Sequence, residues 1–156
     1  MDKVLSAVCC ILFSAMVLIA TWQVASRYIF SNPSSTSEEL LTYSFAWTAM
    51  LSAALVFGER DHMRLSYFAD KLAARKKLWL DLVIEGIVFA FAVLVLIYGG
   101  ISITLLEMIQ TTSTLGVSMG YIYSIMPISG VLIAVYAAMH MVNLYKEIQE
   151  SRERRI

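Results

Sequence analysis

The sequence has few of the residues from which catalytic, disulfide and cofactor sites are built. Its 156 residues include two cysteines, two histidines and two prolines. Cys9 and Cys10 are neighbours, and adjacent cysteines bridge poorly to each other, so a disulfide framework is excluded. No C-x-x-C spacing, Ser/His/Asp constellation or glycine-rich phosphate loop is present. We therefore predict that the chain is not an enzyme and that it holds no cofactor or metal of its own.

The two histidines are the remaining candidates for a haem or metal site. Such a site among helices needs ligands on facing helices. His62 falls in a polar segment, whereas His140 stands alone near the end of the last apolar stretch. Lone histidines more often hydrogen-bond or lie at an interface, so the sequence favours a structural role for both.

Apolar residues are what the sequence has in excess. They make up 59% of it, and the mean hydropathy is +0.71, whereas soluble domains contain roughly 45–50% apolar residues. A helix needs about 20 mostly apolar residues to cross a hydrocarbon core of ~30 Å. Four stretches meet this length, at roughly residues 4–26, 38–58, 78–107 and 122–145. The sequence therefore predicts an all-α integral membrane protein, with a single four-helix transmembrane domain over residues 1–156.

The charges cancel overall but are unevenly distributed. Twelve basic and twelve acidic residues give a net charge of zero, which favours neither nucleic acid nor an acidic ligand as a partner. Of the twelve basic residues, only Arg27 lies between the first and second spans or between the third and fourth. Because cytoplasmic loops carry the excess of Lys and Arg, we predict that both termini face the cytoplasm.

Residues 26–47 then form an outer hairpin between two spans. Pro33 biases the residue before it away from the helical region, and the S/T-x-x-E pattern that follows fits a capping box at the start of the second helix. Arg27 can extend its guanidinium to the headgroups while its stem stays in lipid. Two interpretations of Glu38 and Glu39 remain open: they only start the helix, or they contact a partner.

The segment after the second span shows helical periodicity. Apolar residues recur on one stripe from Leu65 to Leu72, with basic residues beside it. This pattern predicts a short amphipathic helix at roughly residues 64–74 that lies in the inner membrane interface. The alternative is a soluble loop whose apolar residues pack on the spans.

Two acidic residues follow near the start of the third span. Asp81 and Glu85 lie within two turns of the predicted inner boundary, close in sequence to several basic residues. Acidic side chains inside a span are candidates for function by default. Their position near the boundary instead predicts ion pairs at the interface.

Five short motifs occur in a defined order along the chain. They are SRY-x-F at Ser26–Phe30, EEL at Glu38–Leu40, a tryptophan at Trp47, HMR at His62–Arg64, and Y-x-x-x-P at Tyr123–Pro127. In this order and spacing the sequence resembles the small, Q-type (DctQ-like) membrane subunit of TRAP transporters, the tripartite ATP-independent periplasmic carriers. The resemblance covers nearly the whole chain.

The resemblance implies a division of labour among three proteins. A periplasmic binding protein captures an organic acid, and a large multi-span subunit moves it together with sodium. The small subunit is a scaffold for the large one in the bacterial inner membrane. Sodium coupling would then belong to the partner subunit, and the substrate stays open among dicarboxylates, keto acids and sugar acids such as sialic acid.

The polar and aromatic residues of these motifs are the predicted contacts with partner subunits or lipid. They are Arg27, Glu38, Glu39, Trp47, His62 and Arg64. For Arg27, Glu38 and Glu39, docking of the binding protein is an alternative role.

Other classes of small membrane protein share the predicted topology. Small multidrug exporters have four spans but depend on a glutamate in the first, and the first span here has none. A membrane-anchored haem or quinone subunit and a four-span assembly factor are the remaining alternatives.

Overall fold

A computed structural model describes residues 2–31, 34–58 and 74–153 of the chain. Apart from one isolated β-bridge, the regular structure of these residues is helical. In chain order the helical segments are α1 (Asp2–Tyr28), α2 (Ser35–Gly58), α3 (Ala74–Phe91), a π-helical segment (Ala92–Gly99), α4 (Gly100–Leu106), α5 (Met119–Tyr123) and α6 (Ile125–Glu153).

Four parts of this structure are long and apolar enough to cross a membrane. They run over Lys3–Tyr28, Ser35–Gly58, Trp79–Leu106 and Met119–Lys146. The predicted all-α fold with four membrane-spanning helices is thus confirmed. The predicted interfacial helix lies outside the described residues, except for Ala74, which begins α3.

The four spans pack in the order α1, α2, α6 and α3, so α2 and α6 are the two inner helices. α1 packs along α2, α2 along α6, and α6 along both α3 and the π-helical segment. In the most apolar part of the fourth span 39% of the residues are buried, whereas in that of the first span 6% are. α1 and α3 therefore form the two ends of the arrangement, and each has a free outer side.

The side of α1 that faces α2 follows a regular spacing. Most of its buried and half-buried positions alternate by four and three residues: Leu5, Cys9, Leu12, Met16, Ile19, Gln23 and Ser26. This is the spacing of a seam between two helices that cross at a shallow angle. Cys9 lies in the seam and Cys10 is exposed, so only the first of the two cysteines packs inside the protein.

Close contact with α6 occurs where the third span changes from π-helix to α-helix. A side chain added at Gly100 would lie 2.9 Å from the ring of Pro127, and one at Gly130 would lie 2.7 Å from Cβ of Leu96. Such small residues let two helix backbones approach closely in a membrane. The sequence predicts that Gly99 and Gly100 allow either a bend or a close approach, and at Gly100 the structure shows a close approach.

The connections between the four packed helices, which we call the helix layer, lie at its two opposite ends. The segments after α1 and after α4 lie together at one end, which we call the hairpin end. The first residues of α1 and the last residues of α6 lie at the other, which we call the terminal end.

Replacing Gly130 by alanine tests the importance of this close approach. The new Cβ would overlap Leu96, so Gly130→Ala should lower the free energy of unfolding by about 1–3 kcal/mol. Gly86→Ala is the matched control, because no atom lies within 4 Å of a Cβ added there. The control should leave stability unchanged or raise it by up to ~1 kcal/mol. Unfolding of the purified protein in mixed micelles measures both, and equal effects would contradict the packing argument.

Candidate functional site

The segment between α4 and α5, residues 107–118, forms a compact hairpin-like loop. The backbone N–H of Thr112 donates to the carbonyl of Val117 at 2.8 Å, and the N–H of Val117 donates back to Oγ1 of Thr112 at 3.0 Å. Gly116 has a φ of +66°, a backbone conformation that glycine adopts without strain. These bonds bend the tip of the loop, residues 113–115, so that its N–H groups point toward α2.

Glu39 of α2 binds this tip through its carboxylate. The N–H of Ser113 donates to Oε1 at 3.1 Å, and those of Thr114 and Leu115 donate to Oε2 at 2.9 and 3.2 Å. The hydroxyl of Thr114 donates to Oε2 as well. Successive N–H groups that converge in a turn make a concave binding site for an anion. Here the anion is a side chain of the same protein, and the loop segment itself contains no basic residue.

Two aromatic residues of α2 extend the contact down the same face of the helix. The hydroxyl of Tyr43 donates to Oε1 of Glu39 at 2.8 Å and lies 3.6 Å from the sulfur of Met119. One turn further on, Nε1 of Trp47 donates to the carbonyl of Ile122 at 3.1 Å. That carbonyl belongs to the last turn of α5, where carbonyls lack a helical partner. Glu39, Tyr43 and Trp47, which we call the α2 seam, thus hold the start of the fourth span.

The helix cap at the start of α2 differs from the predicted capping box. Oγ of Ser34 accepts from the N–H of Ser37 at 3.3 Å and from its hydroxyl at 3.0 Å. The cap is therefore Ser34, and the carboxylate of Glu39 is directed to the loop instead of back to the cap. Glu38 is exposed beside it. The two adjacent glutamates therefore have different environments.

The other predicted site residues occupy separate places. Arg27 is exposed in the last turn of α1, and no ion pair joins it to a described residue. His62 and Arg64 lie outside the described residues. Of the six predicted site residues, Glu39 and Trp47 are therefore the two that the structure brings together, in the α2 seam.

A second polar contact joins the third and fourth spans toward the terminal end. Nδ1 of His140 lies 3.1 Å from Oε1 of Glu85, with side-chain exposures of 17% and 11% respectively. Glu85, for which the sequence predicts ion pairs at the interface, is buried and faces His140 of α6. For His140, this contact is of the hydrogen-bonded, structural kind that the sequence favours. A carboxylate directed toward lipid would be costly, whereas one directed toward a histidine gains a hydrogen bond.

Sequence reasoning missed Tyr43, the loop amides and the Glu85–His140 contact. Tyr43 carried a signal, since it lies four residues from both Glu39 and Trp47 and therefore on the same helical face. The partners of that face are more than 70 residues away in the chain, and nothing local reveals them.

Comparison with known proteins identifies the family. The model of the family described as "Tripartite ATP-independent periplasmic transporters, DctQ component" matches residues 16–147. The chain belongs to the DctQ family. It is thus a small permease subunit of a TRAP transporter and a multi-pass membrane protein, as its motifs predict.

Two relatives of this DctQ chain are named as small permease proteins of TRAP transporters. The sialic acid TRAP transporter small permease protein SiaQ of Vibrio cholerae is 30% identical over 140 residues, which cover 86% of this chain and 78% of the relative. A protein of Haemophilus influenzae, named as a TRAP transporter small permease protein, is 32% identical over 71 residues, which cover 46% and 44%.

Loss of the Glu39 carboxylate should loosen the loop of this DctQ protein. Glu39→Gln keeps the side-chain size but removes the negative charge and replaces one acceptor oxygen with a donor. The amides of residues 113–115 should therefore exchange with solvent faster, as measured by hydrogen–deuterium exchange in nanodiscs. Glu38→Gln is the control and should leave their exchange unchanged. Equal protection in both variants would contradict the anchoring role of Glu39.

The Glu85–His140 contact should appear as an energetic coupling between two spans. The free energies of unfolding of Glu85→Gln, His140→Phe and the double variant form a double-mutant cycle. We expect a coupling of about 0.5–2 kcal/mol, the range for hydrogen bonds between membrane helices. Additive single effects would show that the two side chains are neighbours without a stabilising contact.

Proposed function

We propose that this chain is the static scaffold subunit of a sodium-coupled TRAP transporter that takes up an organic acid. The observation that carries the proposal is that the polar side chains of the chain bind other parts of the same chain. The carboxylate of Glu39 binds the loop, the indole of Trp47 binds a helix end, and Glu85 pairs with His140. Each contact joins one part of the chain to another and holds the spans in a fixed arrangement.

These contacts also support a division of roles between this chain and the large subunit. A subunit that moves substrate must release and reform contacts with its cargo during each cycle. The contacts described here instead connect the second span to the fourth and the third to the fourth. This supports a rigid element beside the large multi-span subunit, which would carry the substrate and bind the sodium ions.

We further propose that the protein lies in the bacterial inner membrane with both termini in the cytoplasm. Eleven of the twelve basic residues come before the first span, between the second and third spans, or after the fourth in the sequence, which supports a cytoplasmic position for the terminal end. The hairpin end would then face the periplasm, where a substrate-binding protein delivers its ligand.

The hairpin end offers two exposed charges for such a delivery, on Arg27 and Glu38. We propose that these two residues contact the binding protein and that Glu39 acts indirectly, by fixing the loop beside them. Trp47 acts in the same indirect way. For His62 and Arg64 we propose contacts with the large subunit or with lipid on the cytoplasmic side.

The proposed substrate class is a sugar acid such as sialic acid. Its support is the name of the Vibrio cholerae relative, a small permease of a sialic acid transporter. Dicarboxylates and keto acids remain the alternatives, because substrate selection in the proposal belongs to the other two proteins.

Reconstitution tests the scaffold proposal directly. Liposomes with an inward sodium gradient would contain the large subunit with or without this chain, together with the binding protein and radiolabelled sialic acid. Uptake should require all three proteins and sodium, and binding of substrate to the binding protein should not need this chain. Full uptake in its absence would contradict the proposal.

The same liposomes test the docking role of Glu38. Glu38→Lys should reduce uptake at limiting concentrations of binding protein, because it reverses an exposed charge, while the membrane complex still purifies intact. Glu38→Gln should have a smaller effect. Unchanged uptake in both would limit Glu38 to the start of α2.

A further inference from the structure

Tyr98, in the π-helical segment, is a polar residue on a lipid-facing side of the protein. Its side chain is 74% exposed. Its hydroxyl makes no hydrogen bond to any residue that the structure describes. Exposed leucines or valines at such a site need no explanation, but a free hydroxyl in hydrocarbon is unfavourable.

Other described tyrosines are either satisfied or lie near the end of a span. Tyr43 donates to Glu39, and Tyr136 is buried and has a partner. Tyr28 and Tyr145 lie within the last turns of the first and fourth spans, at the depth where tyrosine commonly anchors a helix. Tyr98 fits neither description.

The depth of Tyr98 prevents it from reaching the membrane surface. The third span, Trp79–Leu106, has 28 residues, and at 1.5 Å per residue it is roughly 42 Å long, against a hydrocarbon core of ~30 Å. Tyr98 lies eight residues before the end of that span, so its Cα is about 6 Å inside the core. Side chains of a helix tilt toward its N-terminus. The ring therefore points toward the middle of the membrane and away from the nearer surface.

Serine and threonine side chains on the free sides of α1 and α4 satisfy themselves locally. Ser14 and Thr21 donate to carbonyls of their own helix at 2.8 Å, and Ser102 donates to the carbonyl of Tyr98 at 3.0 Å. A phenol hydroxyl is too far from its own backbone for such a bond. The hydroxyl of Tyr98 is thus satisfied neither by its own helix nor by another residue that the structure describes.

Gly99 next to Tyr98 leaves room for a neighbouring helix. A Cβ added there would meet only a backbone oxygen, 3.8 Å away, whereas one added at Gly100 would collide with Pro127. Packing within the described chain therefore explains the glycine at position 100 and not the one at position 99.

We propose that Tyr98 and Gly99 mark the face on which a membrane helix of the large TRAP subunit docks. The hydroxyl of Tyr98 donates to an oxygen acceptor on that helix, and Gly99 lets its backbone come close. The inference rests on the proposed function for its partner, and it adds the location of the interface. It assigns the contact to the third span and leaves the free side of α1 to lipid.

Site-specific photo-cross-linking tests the location. A benzophenone amino acid would replace Tyr98, or Phe13 on the exposed side of α1 as a control, in the complex reconstituted with the large subunit. Position 98 should give an adduct with the mass of the two subunits combined, and position 13 should give lipid adducts. If the subunits co-purify but position 98 captures only lipid or a second copy of this chain, the inference is wrong. If no complex forms at all, the proposed function fails and the inference fails with it.

Substitutions at the two residues test the proposed contacts. Tyr98→Phe removes one oxygen atom and should weaken association with the large subunit about 3- to 10-fold. Gly99→Leu should weaken it further, whereas Gly86→Leu, nearer the terminal end of the same span, should not. Thermal unfolding of the isolated chain should be the same for Tyr98→Phe and the unchanged protein. Unaltered association of both Tyr98→Phe and Gly99→Leu would overturn the proposal.

Discussion

In a bilayer, a polar group that does not find a partner within the protein remains without one, because hydrocarbon offers no hydrogen bonds. This constraint accounts for the polar contacts that lie within the spans. The helix end before Pro127 leaves a carbonyl that the indole of Trp47 satisfies. The amides at the tip of the loop between the third and fourth spans lie outside the spans, and the carboxylate of Glu39 binds them. Polar residues thus connect helices that apolar packing alone would leave free to slide.

The architecture was accessible from the sequence, whereas the contacts were not. Four long apolar stretches predict four spans, because hydropathy and length are properties of a local window. Glu39 and Trp47 stood out by residue type, but the sequence could not show that both face the same loop and helix end. Glu85 and His140 are 55 residues apart and only meet because α3 packs on α6. The charges near the boundary predict ion pairs for Glu85, but the sequence does not show that its carboxylate meets a histidine of the fourth span.

In the proposed scaffold role, this arrangement would separate two tasks between the ends and the sides of the four-helix layer. The hairpin end is fixed by the α2 seam and presents exposed charges around a loop of set shape. The sides of the layer are apolar, and the third span carries a hydroxyl that needs an acceptor. In the proposed role, the hairpin end would keep its shape while the third span binds the large subunit.

The π-helical segment at Ala92–Gly99 has a consequence for the length of the chain. In an ordinary α-helix, gain or loss of one residue rotates everything beyond it by about 100°, since 3.6 residues make a turn. A wider turn can absorb the extra residue locally. Deletion of one residue within this segment would let it close as regular α-helix, while Glu85 on one side and Gly100 on the other still face α6. Length variants among related subunits would therefore be tolerated here more readily than elsewhere in the spans.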